Sequence, residues 1–297
     1  MVVPARIFIV PYRDRATHRR DLLDCLNKLL DGEDDWEIFF VHQQDARPFN
    51  RGAMKNIGFL VMRDRYPDHY RNITFIFHDV DTRPRYRGQF PYDTTRGVVA
   101  HYHGTYYALG GAFAIKGGDF ERTLGFPNFW GWGLEDNTMQ DRCIAAGLRI
   151  DRRNFVPLRD PGVARAFDGY VRMTSKHEAA LYKYGTPDDI RSIRGLQVVP
   201  EAGGMLNVTR FEVGERHDQQ PFETLDIRGG TRLHAERRFV ELPRPRPSRT
   251  VRSRPRRERM QSRARPDTLT TTQFPCLRGR KRIKAPASGV IRRWPPR

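Results

Sequence analysis

The sequence predicts an α/β protein in which a mostly parallel central sheet is flanked by helices and followed by a disordered basic tail. Up to residue 77, short β-branched and aromatic runs alternate with segments of helical periodicity in the order strand, helix, strand, helix, strand. That order is typical of a parallel sheet with crossover helices. From residue 243 onward Arg and Pro predominate and almost nothing remains to bury, as in disordered segments. The predicted domains are therefore residues 1–242 and 243–297.

The charge of the chain is concentrated in the tail. Residues 243–297 hold 18 of the 53 Lys and Arg and two of the 35 Asp and Glu, which gives them +16 of the net +18. The body keeps only +2, which argues against a body that binds nucleic acid. We expect the tail to bind a nucleic acid, an acidic protein or an anionic membrane surface. A solvated tail without a dedicated partner is the alternative.

The first strand and the first helix are indicated by residues 7–30. Ile7–Val10 is a β-branched and aromatic run that stops at Pro11, as expected of a strand. Thr17 is placed to cap a helix over His18–Leu30, because five leucines then fall on one face of that helix.

The second strand and helix repeat this order. Trp36–Val41 (WEIFFV) is a strand-forming run. Asn50 is placed to cap a helix over residues 51–64 (RGAMKNIGFLVMRD), and most of the apolar residues of this helix are expected to face inward.

The third strand carries the first chemical signal. Ile73–Phe77 is apolar and aromatic, and it is followed by Asp79 and Asp81 before Pro84. Residues at i and i+2 of an extended chain point to the same side, so both carboxylates can face one pocket. Two carboxylates at the carboxyl end of a buried strand suit Mg²⁺ or Mn²⁺. A solvated turn after a strand is the alternative.

Beyond Pro84 the pattern is less regular. Gly97–His103 and Leu109–Ile115 are predicted strands, and a polar helix is expected within the region Tyr170–Ile193. A late strand is predicted over residues 208–213 (VTRFEV).

The stretch 126–141, FPNFWGWGLEDNTMQD, is the densest in functional residue types. Two tryptophans flank Gly131, which predicts a loop with broad flat surfaces and freedom to move. Glu135 and Asp136 follow where a helix reaching Ala146 would begin, a position at which the helix dipole favours negative charge. Simple helix capping is the alternative role for these two acids.

Cysteine usage and hydropathy bound the class of protein. Cys25, Cys143 and Cys276 are widely spaced and odd in number, so neither a disulfide framework nor a zinc site is indicated. The apolar run before Arg13 is too short for a signal peptide or a membrane anchor. We therefore expect a soluble protein of a cytoplasm-like compartment.

Six segments in order resemble the β-1,4-galactosyltransferase family, glycosyltransferase family 7, whose enzymes have a GT-A fold and depend on a metal. These segments are IVPYRDR (9–15), FNRGAMKNIGF (49–59), FIFHDVDTRP (75–84), LGGAFAI (109–115), GFPNFWGWGLED (125–136) and, more weakly, GGMLNVTRFEV (203–213). The resemblance implies the GT-A type of nucleotide-diphospho-sugar transferase fold for residues 1–242.

The resemblance further implies a site for a UDP-sugar donor. The implied donor-binding residues are Pro11, Arg13, Arg15, Phe49, Arg51, Asp79 and Trp132. It implies Mn²⁺ (or Mg²⁺) as cofactor, with Asp81, His177 and Met173 as metal ligands. Trp132 resembles the tryptophan of a mobile loop that closes over donor and acceptor.

The acceptor side follows from the same resemblance. Asp136 is the implied catalytic base, with Glu135 beside it. The implied residues of a carbohydrate or glycoconjugate acceptor site are Trp132, Gly133, Glu135 and Asn137. A carboxylate suits the role of base because it can take the proton of the attacking acceptor hydroxyl.

Three positions depart from the family pattern. Met173 and His177 are four residues apart, which leaves the register of the last metal ligands open. Asn137 stands where many relatives have a third acid, which predicts altered acceptor binding. Ala108 stands where a tyrosine commonly crowds the C2 substituent of the donor, so we hypothesise that a donor with an N-acetyl group is tolerated.

The sequence thus predicts a metal-dependent inverting glycosyltransferase that moves galactose or a related hexose, with GalNAc as a further donor, from a UDP-sugar to a sugar acceptor. One alternative is a different GT-A enzyme with the same site, such as an N-acetylgalactosaminyl- or xylose-specific transferase. The other is a nucleic-acid-associated or virion structural protein with a remnant transferase fold. Without the N-terminal anchor of animal Golgi enzymes, we expect a bacterial, viral or otherwise unanchored relative, located in a host cytoplasm or virion if viral.

Overall fold

The computed structural model describes residues 2–214 and 216–229. The predicted domain boundary near Leu242, the predicted disordered tail 243–297 and Cys276 lie outside the described residues. Within them, Cys25 and Cys143 are free thiols. None of the helices described combines the length and the apolar character needed to cross a membrane.

The described residues form thirteen strands and five α-helices. The strands are β1 (Arg6–Tyr12), β2 (Trp36–Gln43), β3 (Thr74–His78), β4 (Thr82–Pro84), β5 (Val98–Thr105), β6 (Ala108–Lys116), β7 (Arg149–Asp151), β8 (Val156–Pro157), β9 (Val163–Arg165), β10 (Val171–Thr174), β11 (Arg194–Glu201), β12 (Met205–Glu212) and β13 (Glu223–Asp226). The helices are α1 (Ala16–Leu29), α2 (Arg51–Arg65), α3 (Gly117–Thr123), α4 (Glu135–Ala145) and α5 (Lys176–Tyr184).

Nine of these strands form one central sheet. Its order is β11-β12-β2-β1-β3-β6-β5-β7, and β8 also pairs with β5. All neighbours pair in parallel except at β6, which is antiparallel to β3 and β5, and at β11, which is antiparallel to β12. The sheet is therefore mostly parallel, as predicted. β6 reverses because only Tyr106 and Tyr107 separate it from β5, and so short a link cannot cross over the sheet.

Alternation along β1 divides the core between the two faces of the sheet. Ile7 and Ile9 are buried in a cluster with residues of α2, whereas Phe8 and Val10 are buried in a second cluster with Leu22 and other residues of α1. This is the two-residue period of a strand that is covered on both sides. Helices therefore flank the sheet as the sequence predicts.

Of the two predicted N-caps of the crossover helices, one is confirmed and the other is wrong. Asn50 caps α2 as predicted, because its side-chain oxygen accepts a hydrogen bond from Ala53 N at 2.8 Å. The prediction of Thr17 as the cap of α1 is wrong, since the helix begins at Ala16 and its N-cap is Arg15. Asp14 has a φ of +50°, which turns the chain into the helix two residues earlier than the leucine pattern indicates.

Two glycines bring α2 close to its neighbours. A Cβ atom on Gly52 would lie 2.0 Å from the carbonyl oxygen of Pro127. A Cβ atom on Gly58 would lie 2.5 Å from Ile9 Cγ2 and 2.9 Å from Val41 Cγ2, on the sheet below. Both contacts are too short for any side chain, so α2 approaches the sheet and the 126–134 loop as closely as backbones allow.

The carboxyl ends of β1, β2 and β3 meet at one edge of the sheet because these strands are parallel. The antiparallel β6 contributes its amino-terminal end to the same edge, where Ala112 pairs with His78. This edge is the place where open α/β sheets bind their ligands. It collects most of the predicted site residues.

Candidate active site

The acidic pair follows β3 in a turn. Thr82 N donates to the carbonyl oxygen of Asp79 at 3.2 Å, so the expectation of an extended chain through Asp79 and Asp81 is wrong. Asp79 N donates to Gly111 O on β6 at 2.7 Å, so the pairing of β3 with β6 extends to the first residue of the turn. The two carboxylates consequently contact different arginines, Arg51 and Arg165.

Arg51, the first residue of α2, joins the two predicted carboxylate clusters. Its Nη2 lies 2.8 Å from Asp79 Oδ1, and its Nε lies 3.5 Å from Glu135 Oε1. Burial would lower the pKa of the guanidinium, but four surrounding carboxylates raise it, those of Asp79, Glu135, Asp136 and Asp81. The acids after β3 and the acids of α4 therefore lie around one arginine.

The two carboxylates after β3 differ in their surroundings. Burial would raise the pKa of Asp79, but three nearby cations, with Arg51 the strongest, lower it to about 2. Asp81 is buried, and its Oδ2 lies 2.8 Å from Arg165 Nη2. Its carbonyl oxygen also accepts a hydrogen bond from Ala166 N at 2.9 Å, so side chain and backbone are both held by the end of β9.

Asp136 is paired with a buried lysine. Lys55 is 2% exposed, and its Nζ lies 2.7 Å from Asp136 Oδ1. On the other side, a Cβ on Gly110 would lie 2.6 Å from Asp136 Oδ2, so only a glycine in β6 leaves room for this carboxylate. Arg51 and Lys55 are one turn apart on α2, and together they bring both acids of α4 against the sheet edge.

Glu135 is the more isolated of the two acids. Its Oε2 is buried and has no hydrogen-bond partner among the described residues. Burial and the neighbouring Asp136 raise the pKa of Glu135, although Arg51 and Lys55 oppose the shift. A buried acceptor without a donor is costly unless a ligand hydroxyl satisfies it.

The 126–134 loop, which carries both tryptophans and is the tryptophan loop, is held by α5. Glu178 accepts hydrogen bonds from Trp130 N at 2.6 Å and from Gly131 N at 2.7 Å. A Cβ on Gly131 would lie 2.7 Å from Glu178 Oε2, which explains the glycine between the tryptophans. Trp130 is buried, whereas Trp132 is half-buried, beneath the guanidinium of Arg172 at 5.6 Å from the ring centre.

The predicted donor residues of β1 and β2 lie at the same sheet edge. Pro11 is buried within β1, opposite Val41 of β2. Arg13 donates to the carbonyl oxygens of residues 43, 45 and 47 and stacks over Phe49 at 5.4 Å from the ring centre. Arg15 donates to Asp168 O at 3.1 Å. Arg13 thus fixes the loop that carries Phe49.

The predicted donor-selectivity residue lies at the amino-terminal end of β6, and the predicted acceptor residue Asn137 contacts the turn before it. Ala108 is the first residue of β6 and is buried. Asn137 Nδ2 donates to Tyr107 O at 3.0 Å, which ties α4 to the turn before Ala108. Gly133 has a φ of +96°, in the region that favours glycine, and so lets the loop turn into α4.

The remaining predicted metal ligands lie on β10 and at the start of α5. Met173 is on β10 and 44% exposed, and its carbonyl oxygen accepts a hydrogen bond from Trp132 N at 2.6 Å. His177 is the second residue of α5. In residues 2–214 and 216–229 no three His, Cys, Asp or Glu side chains are gathered around a possible metal. The predicted set has only two residues of those types, so it stays a prediction.

Three buried histidines beside the site were missed in the sequence. Burial lowers the pKa of His78 to about 4 and, with Arg152, that of His101 to about 3. His103 Nδ1 donates to Val156 O at 2.9 Å, because a carbonyl can only accept, and its Nε2 is a buried acceptor without a partner in the described part of the chain. Because burial lowers all three pKa values, the three imidazoles are uncharged at neutral pH.

Arg165, Lys55 and Glu178 were missed as well. The signals that could have found them were weak: an S-x-x-E spacing from Ser175 for Glu178, and a lysine amid the apolar residues of a buried helix for Lys55. Nothing in the sequence indicates a partner for Arg165, which is brought to Asp81 by a short tertiary strand pairing.

Two family models match the chain. Residues 4–88 match the N-terminal region of glycosyl transferase group 7, and residues 93–161 match the N-terminal domain of galactosyltransferase. Together the two models cover more than half of the chain, and they include both carboxylate clusters.

Curated relatives show the same likeness. Beta-1,4-galactosyltransferase 4 of Cricetulus griseus is 31% identical over 157 residues, which are 49% of this chain and 44% of the relative. Beta-1,4-galactosyltransferase 2 of Mus musculus is 31% identical over 229 residues, 74% of this chain and 58% of the relative. The chain thus spans about half the length of the curated relatives it matches.

A solved structure shares the fold. The catalytic domain of Drosophila beta1,4galactosyltransferase 7, in complex with xylobiose, matches with a TM-score of 0.57 and 19% identity over 74% of this chain and 98% of that chain. A mutant of the Drosophila protein, in complex with manganese, UDP-Gal and xylobiose, matches to the same extent. The predicted GT-A-type architecture is confirmed by this likeness.

Proposed function

The chain belongs to glycosyltransferase family 7, and on that premise we propose that it is a metal-dependent inverting glycosyltransferase acting on a UDP-sugar. The observation that carries the proposal is the bridge made by Arg51, which contacts Asp79 after β3 and Glu135 of α4. A donor and an acceptor have to meet at one point, and these two carboxylate clusters meet at one arginine.

The proposed role of Asp136 is that of catalytic base. The acceptor hydroxyl oxygen forms a bond to the anomeric carbon of the donor, on the face opposite the bond to UDP, which breaks. The hydroxyl proton passes to the Asp136 carboxylate, and UDP leaves with the electron pair of the broken bond. Lys55 Nζ, 2.7 Å from Asp136 Oδ1, holds this carboxylate in position for that role.

The proposed role of Glu135 is to hold the acceptor. Its Oε2 is buried and lacks a donor in the described residues, so it can accept a hydrogen bond from a sugar hydroxyl. Trp132, next to Gly133 at the beginning of α4, offers a flat face for a sugar ring. Closure of such a face over the cleft would keep water from replacing the acceptor.

The residues present fit a divalent cation at Asp81. The Oδ2 atom of this carboxylate already has a cation beside it, the guanidinium of Arg165, whose place a metal could take. Cations of the Mg²⁺ type need only one or two carboxylates when substrate phosphates supply further oxygens, so the missing group of three ligands does not argue against it. When bound, Mn²⁺ offsets the charge that develops on the departing diphosphate.

The donor is proposed to be UDP-galactose or a related hexose, with UDP-GalNAc tolerated. The manganese and UDP-Gal in the Drosophila complex support this donor class. Ala108 supports tolerance of the N-acetyl group, because it places only a methyl group at the amino-terminal end of β6.

A UDP-release assay tests the proposal. The full chain is incubated with a panel of UDP-sugars, with and without Mn²⁺, because slow hydrolysis reveals the donor before the acceptor is known. We expect Mn²⁺-dependent release from UDP-Gal or UDP-GalNAc. No release from any UDP-sugar in the presence of Mn²⁺ would overturn the proposal.

A further inference from the structure

A two-stranded sheet lies against the acidic turn. β4, which follows Asp81 directly, pairs with β9 in the antiparallel sense, and Thr82 is opposite Arg165. This register delivers the side chain of Arg165 to Asp81, with Nη2 and Oδ2 at 2.8 Å, and the next amide, Ala166 N, to the Asp81 carbonyl oxygen at 2.9 Å. The contact is therefore built by two strands and is not a chance meeting of flexible side chains.

The two partners are unequally accessible. The side chain of Asp81 is 8% exposed and that of Arg165 is 36% exposed. The buried carboxylate is thus fixed, whereas the guanidinium reaches it from the open side. Because a guanidinium has five donors in a planar fork, Arg165 can give up one carboxylate and take a phosphate in exchange.

The chain that follows β9 contacts further predicted donor residues. Asp168 O accepts a hydrogen bond from Arg15 at 3.1 Å, and Asp168 Oδ1 lies 2.8 Å from Arg172 Nη2. Arg172 in turn lies over Trp132. Residues 163–172 therefore connect the implied nucleotide loop, the implied metal ligand and the loop tryptophan. They begin after residue 161, where the galactosyltransferase model ends.

We propose that Arg165 is a further donor-binding residue, which neutralises Asp81 in the free protein and passes to the diphosphate of the UDP-sugar when a metal takes its place. This inference rests on the proposed function. A metal and the guanidinium compete for one carboxylate, and a guanidinium binds phosphate oxygens in a bidentate manner. Arg165 thus opposes metal binding alone and favours binding of the nucleotide with the metal.

The two effects have opposite signs, which makes the test sharp. We expect Arg165→Met to bind Mn²⁺ alone about 3- to 10-fold more tightly, as measured by electron paramagnetic resonance of the free ion, because a competing cation is lost. The same variant should bind UDP about 10-fold more weakly at saturating Mn²⁺, as measured by calorimetry, because a phosphate contact is lost.

Arg83→Met is the matched control. Arg83 belongs to the same two-stranded sheet, but its Nη1 pairs with Asp21 of α1 at 2.6 Å. Its loss should leave both affinities within about twofold, since the guanidinium of Arg83 is engaged by Asp21 and not by Asp81. Arg165→Lys is the second variant. We expect it to bind Mn²⁺ as the wild type does, because the charge is kept, and to bind UDP more weakly, because the bidentate fork is lost. It provides the test if Arg165→Met does not fold.

Unchanged or weaker Mn²⁺ binding by Arg165→Met would overturn the inference, as would unchanged UDP binding by the lysine and methionine variants. General damage to the fold weakens both ligands and cannot produce a gain for Mn²⁺. If the wild-type chain binds no UDP with Mn²⁺, the proposed function fails together with this inference. If the wild type binds UDP and the variants match it, only the role of Arg165 fails.

Discussion

Asp136 lies between the buried ammonium group of Lys55 and the bare backbone of Gly110, and these two contacts hold its carboxylate in place. We expect Asp136→Asn to lower sugar transfer by about 10²- to 10⁴-fold, because an amide cannot take the proton of the acceptor. Binding of UDP with Mn²⁺, measured by calorimetry, should be nearly unchanged. Asp81→Asn is the contrasting variant, and it should lose both transfer and binding.

Lys55 is expected to act through Asp136. Lys55→Met keeps the apolar stem but removes the ammonium group that holds the Asp136 carboxylate at 2.7 Å. We expect kcat to fall by roughly tenfold while KM for the donor changes little, because the carboxylate loses the contact that orients it. A higher KM for the donor together with a lower Tm would show instead that Lys55 only supports packing.

Glu135 provides a prediction about pH and stability. Burial and Asp136 raise its pKa in the folded state, so the folded protein holds this proton more tightly than the unfolded chain does. The ionised form is therefore destabilising above the folded pKa, and the cost disappears as pH falls below the unfolded pKa. Glu135→Gln should raise Tm at pH 7 by roughly 2–4 °C. It should have no such effect in acid, below the usual range of a glutamate.

Ala108 provides the donor test. Ala108→Tyr places a large ring at the amino-terminal end of β6, where it would crowd the C2 substituent of the donor. We expect the ratio of kcat/KM for UDP-GalNAc to that for UDP-Gal to fall by at least about tenfold, because a clash excludes the larger donor. A wild-type chain that already rejects UDP-GalNAc would contradict the hypothesis before any variant is made.

At the scale of elements, the tryptophan loop depends on α5. Glu178→Ala leaves the amides of Trp130 and Gly131 without their acceptor, so we expect the free energy of unfolding to fall by about 2–4 kcal/mol in urea denaturation. Lys176→Ala is the control on the same helix, because its ion pair with Glu223 is exposed and should contribute less than about 1 kcal/mol.

The elements that the sequence predicted correctly are those with a local signal. The alternation in β1, the apolar run of β2 and the cap of α2 at Asn50 each arise from a few neighbouring residues. The turn at Asp79 and the strand β9 were not predicted, because both depend on partners far along the chain, Gly111 for the turn and Thr82 to Pro84 for the strand. Neighbouring residues cannot specify such pairings.

The same division holds for the site. The carboxylates were found because they interrupt an apolar run at the end of a strand and therefore stand out in the pattern. Their cations, Arg51 excepted, were not found, because a lysine in a helix or an arginine after a short strand is common on protein surfaces. Only the fold shows that Lys55 is buried and that Arg165 faces Asp81.

At the scale of the whole molecule, charge separates the tail from the body. A chain ending at residue 242 loses +16 and should retain Mn²⁺-dependent UDP release, since both carboxylate clusters lie before residue 137. Its retention on a polyanion column should disappear, whereas that of the full chain should decrease steeply with salt. Salt-dependent retention of the shortened chain would place the polyanion site in the body.

The glycines of α2 bear on any redesign of this protein. Because Gly52 and Gly58 leave no room for a methyl group, the helix that carries Arg51 and Lys55 cannot shift relative to its neighbours. Redesign of the sugar specificity should therefore keep α2 unchanged and vary the amino-terminal end of β6 and the residues after β9. We expect substitutions of Gly52 and Gly58 to destabilise the fold, because each added side chain would overlap neighbouring atoms.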